Sequence, residues 1–125
     1  MPAPAQATIG CSGATCVQKD DTGRYVGVLE VRIQTCRTEL PGYFHVHLLG
    51  GGLDRNSEEI EVTQATCGDT RFFFQIDRRF QPCTDFHTSG WKRDVSRPNE
   101  YLDMGRPYLS ITDDCRELRS RPLRL

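Results

Sequence analysis

The chain has 125 residues and a formal net charge of −1. This length fits one domain, and the near-neutral charge argues against bulk attraction to nucleic acid or to an anionic membrane surface. The cysteines are even in number and include no C-x2-C pair, which favours disulfide bonds over a zinc site; they are Cys11, Cys16, Cys36, Cys67, Cys83 and Cys115. Because disulfides persist in oxidising compartments, we predict a secreted, extracellular protein without a bound metal or cofactor.

The first ten residues are rich in Pro and Ala and show no periodicity, so we predict a flexible N-terminal arm over residues 1–10. Met1 to Ala7 lacks the charged and apolar regions of a signal peptide and is typical of the start of a mature secreted chain. The longest apolar runs, such as Val46 to Leu49, are far too short to span a membrane. Such an arm can also dock on a partner by adding a strand, which makes Pro2, Pro4 and Ile9 candidate partner-binding residues.

Alternation of apolar and polar residues then predicts five strands in chain order. The clearest are 24–34, with Tyr25, Gly27, Leu29, Val31 and Ile33 on one face, and 43–49, with Phe44, Val46 and Leu48 on one face and His45 and His47 on the other. The remaining three cover 60–63, 71–76 and 108–112.

The segments between these strands are predicted to be turns and loops. Pro41-Gly42 is a turn signal, and the three glycines at 50–52 predict a sharp bend that leads into a polar loop over 53–59. Residues 84–106 are polar and rich in Gly and Pro around the lone Trp91, which predicts a long loop. Residues 116–125 carry four arginines against one glutamate and are predicted to be a basic tail.

Short strands without a capped helical pattern predict an all-β fold: a disulfide-stabilised β-sandwich or small barrel over 11–115, with flexible N- and C-terminal arms. Fifteen residues lie between Cys67 and Cys83, so a bond between them would staple a hairpin and contribute ~3 kcal/mol in the chain-entropy model. Cys36–Cys115 and Cys11–Cys16 are then the expected remaining pairs, among fifteen possible pairings.

His45 and His47 are the sharpest local feature, because residues i and i+2 of a strand share a face. The pair could hold a metal together with His87 or with Glu59 or Glu61, could supply acid–base catalysis, or could be two surface histidines, which is the interpretation we favour. A ribonuclease-like set is also conceivable: His45, Glu61, Arg78, Arg79 and His87.

Phe72 and Phe74 are predicted to share one strand face while Phe73 takes the other, so this strand is either buried on both sides or meets a partner. The adjoining Arg78, Arg79 and Phe80 form a candidate basic-aromatic patch for partner binding. An exposed arginine on a disulfide-held loop would also suit an inhibitor of trypsin-like proteases.

Two stretches resemble small secreted actinobacterial proteins. The first is Cys11-Ser-Gly-Ala-Thr-Cys16 followed by Lys19-Asp20. The second is the strand and Gly-rich loop from Gly42 to Gly52, followed by Arg55-Asn56-Ser57. The length, cysteine content and N-terminal arm are also similar to those of the small linker subunit of secreted umbrella-shaped toxin particles, which joins a lectin subunit to a stalk-bearing subunit. The resemblance implies a compact β-domain with residues 1–10 as a docking arm, and it transfers no catalytic residue.

These observations predict a non-catalytic, secreted protein-binding or adaptor module. Its partners would be co-secreted proteins, with neither nucleic acid nor membrane involved. A protease inhibitor, or a small hydrolase or ribonuclease that uses His45 and His47, is the alternative.

Overall fold

The computed structural model describes residues 9–19, 23–34, 42–62, 68–94 and 96–111, and these contain strands, turns and loops but no helix. The strands are β1 (Ile9–Ser12), β2 (Thr15–Lys19), β3 (Tyr25–Gln34), β4 (Gly42–Gly50), β5 (Leu53–Asn56), β6 (Ile60–Val62), β7 (Asp69–Arg79), β8 (Asp85–Asp94), β9 (Arg97–Gly105) and β10 (Tyr108–Ser110).

The strands form two antiparallel sheets that pack face to face, which confirms the predicted β-sandwich. Sheet I has the order β1-β2-β3-β7. Sheet II has β8 and β4 at its centre. Strands β9 and β10 pair with successive parts of β8 on one edge, and β5 and β6 pair with successive parts of β4 on the other.

The core consists of the inward-facing residues of both sheets. The predicted alternation of β4 is confirmed, because Phe44, Val46 and Leu48 are fully buried. In β3, Leu29, Val31 and Ile33 are buried as predicted, but a register shift between Val26 and Val28 buries Val26 and leaves Tyr25 exposed. The other buried apolar residues are Val17, Leu53, Phe72, Phe74, Phe80, Phe86, Leu109 and Ile111.

Hydrogen bonds also join the two sheets at both open sides of the sandwich. On one side the backbone carbonyl of Met104 accepts bonds from the Ala14 amide (3.0 Å) and the Thr15 hydroxyl (2.8 Å). On the other side Arg78 Nη2 donates to the Gly51 carbonyl (2.5 Å) and Arg55 Nη1 donates to the Gln75 carbonyl (2.8 Å). The sandwich is therefore held by polar contacts at its sides as well as by its core.

One disulfide lies within the described residues. Cys11 and Cys16 are directly opposite each other in the β1–β2 hairpin and are bonded, as predicted. Cys83 is also disulfide-bonded. Cys36, Cys67 and Cys115 lie outside the described residues, so the pairings Cys67–Cys83 and Cys36–Cys115 stay predictions.

The largest difference from the sequence prediction concerns residues 84–106. The prediction of a long loop here is wrong, because residues 85–94 form β8 and residues 97–105 form β9. In β8 the inward positions after Phe86 are Thr88, Gly90 and Lys92, all buried, so the core-facing half of the strand shows no apolar alternation in the sequence. Strand β9 is exposed along most of its length and has no apolar face to reveal it.

Three smaller differences concern the ends of elements. Residues 53–56 of the predicted polar loop form edge strand β5, and the segment around Cys11 and Cys16 is a strand hairpin. Residues 9 and 10 of the predicted N-terminal arm belong to β1. The rest of that arm, the tail over 116–125, and the predicted strand ends at Thr63 and Thr112 lie outside the described residues.

Candidate functional site

The outer face of sheet II carries several aromatic and titratable side chains that the core does not use. Because the even-numbered residues of β4 and β8 point inward, His45 and Trp91 point outward, directly opposite each other across the two strands. Tyr43 and Arg93 form the next outward pair along the same strands. The alternation of two central strands thus builds one continuous polar and aromatic surface.

A groove of about 390 Å³ crosses this surface. It is shallow and open, and it is lined by residues of β4, β5, β8 and β9 and of the connection between β5 and β6. We call it the aromatic groove; its lining residues are His45, Asn56, Ser57, Glu59, Trp91 and Tyr101.

Glu59 and Arg93 form a two-pronged ion pair beside the groove. Arg93 Nε and Nη2 donate to the two oxygens of the Glu59 carboxylate at 2.9 and 2.8 Å. The Arg93 guanidinium also lies 4.3 Å from the centroid of the Tyr43 ring. The hydrogen bonds from Arg93 lower the pKa of Glu59, against the opposing effect of burial, so this carboxylate stays ionised and charge-compensated.

His45 lines the groove, and its ring packs edge-on against Tyr101 with the centroids 5.4 Å apart. Its Nδ1 is buried and has no hydrogen-bond partner among the described residues. Burial lowers the pKa of His45; the Glu59 carboxylate opposes this, while His47 and Arg93 add to it. The imidazole is therefore neutral at pH 7 and carries one unsatisfied ring nitrogen.

Trp91 and Tyr101 supply the aromatic part of the groove. The guanidinium of Arg106 lies 5.4 Å from the Trp91 ring centroid, and Arg106 Nε donates to Asp103 Oδ2 at 2.8 Å. Tyr101 projects from β9 and is 49% exposed. The Trp91 ring is thus in contact with Arg106, while the Tyr101 ring is half exposed to solvent.

The other two histidines lie on the same face with separate partners. His47 Nε2 lies 2.5 Å from Asp54 Oδ1, and the His87 ring stacks against Tyr108. His45 and His47 share a face, as their spacing predicts. However, the described residues bring together no group of three or more His, Cys, Asp or Glu side chains that could hold a metal ion.

The structure does not assemble the ribonuclease-like set. His87 is opposite Leu49, four residues and therefore about 13 Å along β4 from His45. Arg78 and Arg79 lie on β7 in the other sheet. Glu61 is opposite Tyr43 at the sheet edge. Glu59 and Arg93 are instead the charged neighbours of His45.

The predicted partner-binding residues have different surroundings. Pro2 and Pro4 lie outside the described residues, and Ile9 is half exposed on β1. Phe80 is 6% exposed and packs edge-on against Phe86, so its ring belongs to the core. Arg78 is bound to Gly51 and lies over the Phe80 ring, whereas Arg79 is exposed. Partner or protease binding by these arginines stays a prediction.

The sequence analysis missed Asn56, Arg93 and Tyr101 as site residues, because it assigned their segments to loops. One signal was present: the lone Trp91 in a polar stretch, with an arginine two residues later, fits the outward face of a strand. Glu59 was considered only as a metal ligand.

Comparisons with protein-family models, with curated proteins and with solved structures found no match to this chain. The described residues also contain no helix of the length and apolarity needed to cross a membrane.

Proposed function

We propose that the protein is a secreted, non-catalytic adaptor that holds a co-secreted partner against the outer face of sheet II. The observation that carries the proposal is the aromatic groove, where Trp, Tyr and Arg lie side by side on a rigid sheet. These residue types most often anchor protein interfaces. The Cys11–Cys16 disulfide supports an oxidising compartment, and the resemblance to small linker subunits suggests that the partner belongs to a secreted assembly.

The state of the charged groups supports binding over catalysis. A general base needs a free lone pair directed at the proton that it removes. Both oxygens of Glu59 already accept hydrogen bonds from Arg93, which keeps this carboxylate a weak base with a lowered pKa. Such a pair is well suited to fixing the shape of a binding surface.

The test is a pull-down from the culture supernatant of the producing organism, using the full chain as bait and mass spectrometry as readout. We expect one stoichiometric partner that Tyr101→Ala retains at least ten-fold less well, because this half-exposed ring is accessible to a partner. Phe73→Ala is the matched control, since Phe73 is 65% exposed but lies on the outer face of sheet I.

Two further results bear on the proposal. Equal recovery of the partner by wild type and Tyr101→Ala would remove the groove from the interface. Deleting residues 1–8 preserves β1 and therefore tests the predicted docking arm separately from the sheet; unchanged affinity would count against that arm.

A small hydrolase is the second candidate, and a specific observation favours it. His45 is neutral and lies near a carboxylate, an arginine and a tyrosine, which are groups used in phosphoryl and acyl transfer. This candidate predicts turnover of RNA or an ester that His45→Ala abolishes and His87→Ala preserves. Activity that survives in His45→Ala would exclude His45 as the catalytic residue.

A further inference from the structure

We infer that the aromatic groove binds a neutral carbohydrate chain. This inference rests on the proposed function, since it specifies the chemistry that the partner presents to the same face. The carbohydrate could be a free polysaccharide or a glycan attached to a protein, and both sources present the same hydroxyl-rich rings.

The shape and the aromatic lining fit sugar rings. A volume of about 390 Å³ lies at the lower end of the range for ligand pockets, which accommodates about one or two sugar rings. A pyranose ring has apolar C–H faces, which pack against aromatic rings, and the half-exposed Tyr101 ring offers such a surface in the groove, which Trp91 also lines.

The hydrogen-bonding groups of the groove match a hydroxyl-rich ligand. Nδ1 of His45 has no partner among the described residues. Asn56, Trp91 and Tyr101 also line the groove and carry an amide, an indole N–H and a hydroxyl. Sugar hydroxyls donate and accept, so they can bond to this mixed set, and one of them would pair the buried Nδ1 of His45, whose lack of a partner is costly.

The charges disfavour the other ligand classes. The two arginines beside the groove are each paired with a carboxylate, Arg93 with Glu59 and Arg106 with Asp103, so their charges are already compensated and attract a phosphate less strongly. The same guanidinium groups already cover the rings of Tyr43 and Trp91, where a cationic ligand would otherwise bind. Glu61, exposed on the same face, would also repel a polyanion. A neutral ligand avoids all of these conflicts.

The test uses the full chain and the fact that Trp91 is its only tryptophan, so that fluorescence reports directly on the groove. A printed array of neutral glycans first identifies binders, which are then titrated as free oligosaccharides. We expect a saturable fluorescence change, weakened at least ten-fold by Tyr101→Ala and by Asn56→Ala. Tyr101→Phe keeps the ring and should retain most of the affinity, and Phe73→Ala should match wild type. Far-UV circular dichroism establishes that each variant is folded.

A second experiment distinguishes the two sources of the sugar. It also separates failure of this inference from failure of the proposed function. The captured partner is treated with glycosidases and offered again. Loss of binding identifies a protein-linked glycan, whereas binding of free oligosaccharides alone identifies a polysaccharide; either result supports the inference.

Three results would overturn the inference. In the first, a deglycosylated partner still needs Tyr101 while no array glycan changes Trp91 fluorescence; the adaptor proposal would then stand without the carbohydrate. In the second, hexauridylate binds in a salt-dependent manner while neutral glycans do not, which would indicate nucleic acid. In the third, glycan binding is unaffected by both Tyr101→Ala and Asn56→Ala, so the sugar site lies elsewhere on the molecule.

Discussion

His45 makes the stability of the protein sensitive to mild acid. Burial is the largest cause of its lowered pKa, and the ordinary value for the unfolded chain is 6.5. Above pH 6.5 the imidazole is neutral in both states, so the shift has no effect on stability. Below pH 6.5 the unfolded chain binds a proton that the folded chain does not, and the free energy of unfolding falls until the pH is below the folded pKa.

We therefore expect urea unfolding to give a lower free energy at pH 5.5 than at pH 7.5 for wild type, and a smaller difference for His45→Gln. His87→Gln is the control, because His87 is an exposed histidine on the same face. The same pH dependence in His45→Gln and wild type would show that His45 is not the responsible group.

Arg93 controls the ionisation of Glu59 through paired hydrogen bonds that a lysine cannot reproduce. A lysine presents a point charge in place of a planar fork. Arg93→Lys should therefore raise the pKa of Glu59 toward its ordinary 4.5, as measured by NMR titration of the side-chain carboxyl carbon.

Arg106→Lys provides the matched comparison on the same face. The pKa of Asp103 is lowered mainly by the backbone N–H of Gly105, with Arg106 contributing less, so this change should move the pKa of Asp103 only slightly. An unchanged pKa of Glu59 in Arg93→Lys would contradict the assigned cause.

At the scale of residues, the sequence predicts the β4 part of the site but not the charged partners of His45. The alternation of β4 places His45 and His47 on an outer face because its inner residues are large and apolar. The partners of His45 come from segments distant in the chain, Glu59 from the β5–β6 connection and Arg93 from β8. Their approach depends on strand pairing, which alternation within one strand does not specify.

At the scale of elements, the glycines after β4 form a two-residue hairpin turn into β5. Gly50 is opposite Leu53, and the two central residues, Gly51 and Gly52, have φ angles of +59° and +79°. Positive φ at both positions is typical of a type I′ turn, which suits the twist of paired strands. The sharp bend predicted from the three glycines is confirmed.

The two central glycines should differ in their tolerance of a methyl group. An added Cβ at Gly52 comes no closer than 3.7 Å to Arg78, but at Gly51 it lies 2.8 Å from the buried Phe80 ring. We expect Gly52→Ala to cost about 1 kcal/mol through backbone strain, and Gly51→Ala to cost a further 1–3 kcal/mol or so through overpacking. Urea unfolding measures both changes, and equal losses would show that the ring moves aside freely.

Strand β8 shows why the sequence was misinterpreted at this scale. Gly90 faces inward, where an added Cβ would lie 2.3 Å from the hydroxyl of the buried Thr15 in sheet I, so only glycine fits. Lys92 is 2% exposed, and its ammonium is paired with Asp94 at 2.8 Å. In a sequence, glycine and lysine normally indicate loops and surfaces. That Gly90 and Lys92 face the core depends on contacts with the rest of the fold.

At the scale of the whole molecule, a shared core and hydrogen bonds at both sides join the two sheets. The fully buried Thr15 on sheet I donates to the Met104 carbonyl in β9, the edge strand of sheet II, and Arg55 on sheet II donates to the Gln75 carbonyl of β7 in sheet I. We expect unfolding in urea to be two-state, so that Trp91 fluorescence, which reports on sheet II, and far-UV circular dichroism, which reports on both sheets, give coincident curves.

Thr15→Val tests this coupling, because valine keeps the shape of threonine but removes the hydroxyl. The Met104 carbonyl still accepts the Ala14 amide in this variant, so no backbone acceptor is left unpaired. We expect the free energy of unfolding to fall by about 1 kcal/mol, the typical net contribution of one hydrogen bond, while the two curves move together. Curves that separate in wild type would mean that the sheets unfold independently. Curves that separate only in Thr15→Val would assign the cooperativity to this single contact and not to the shared core.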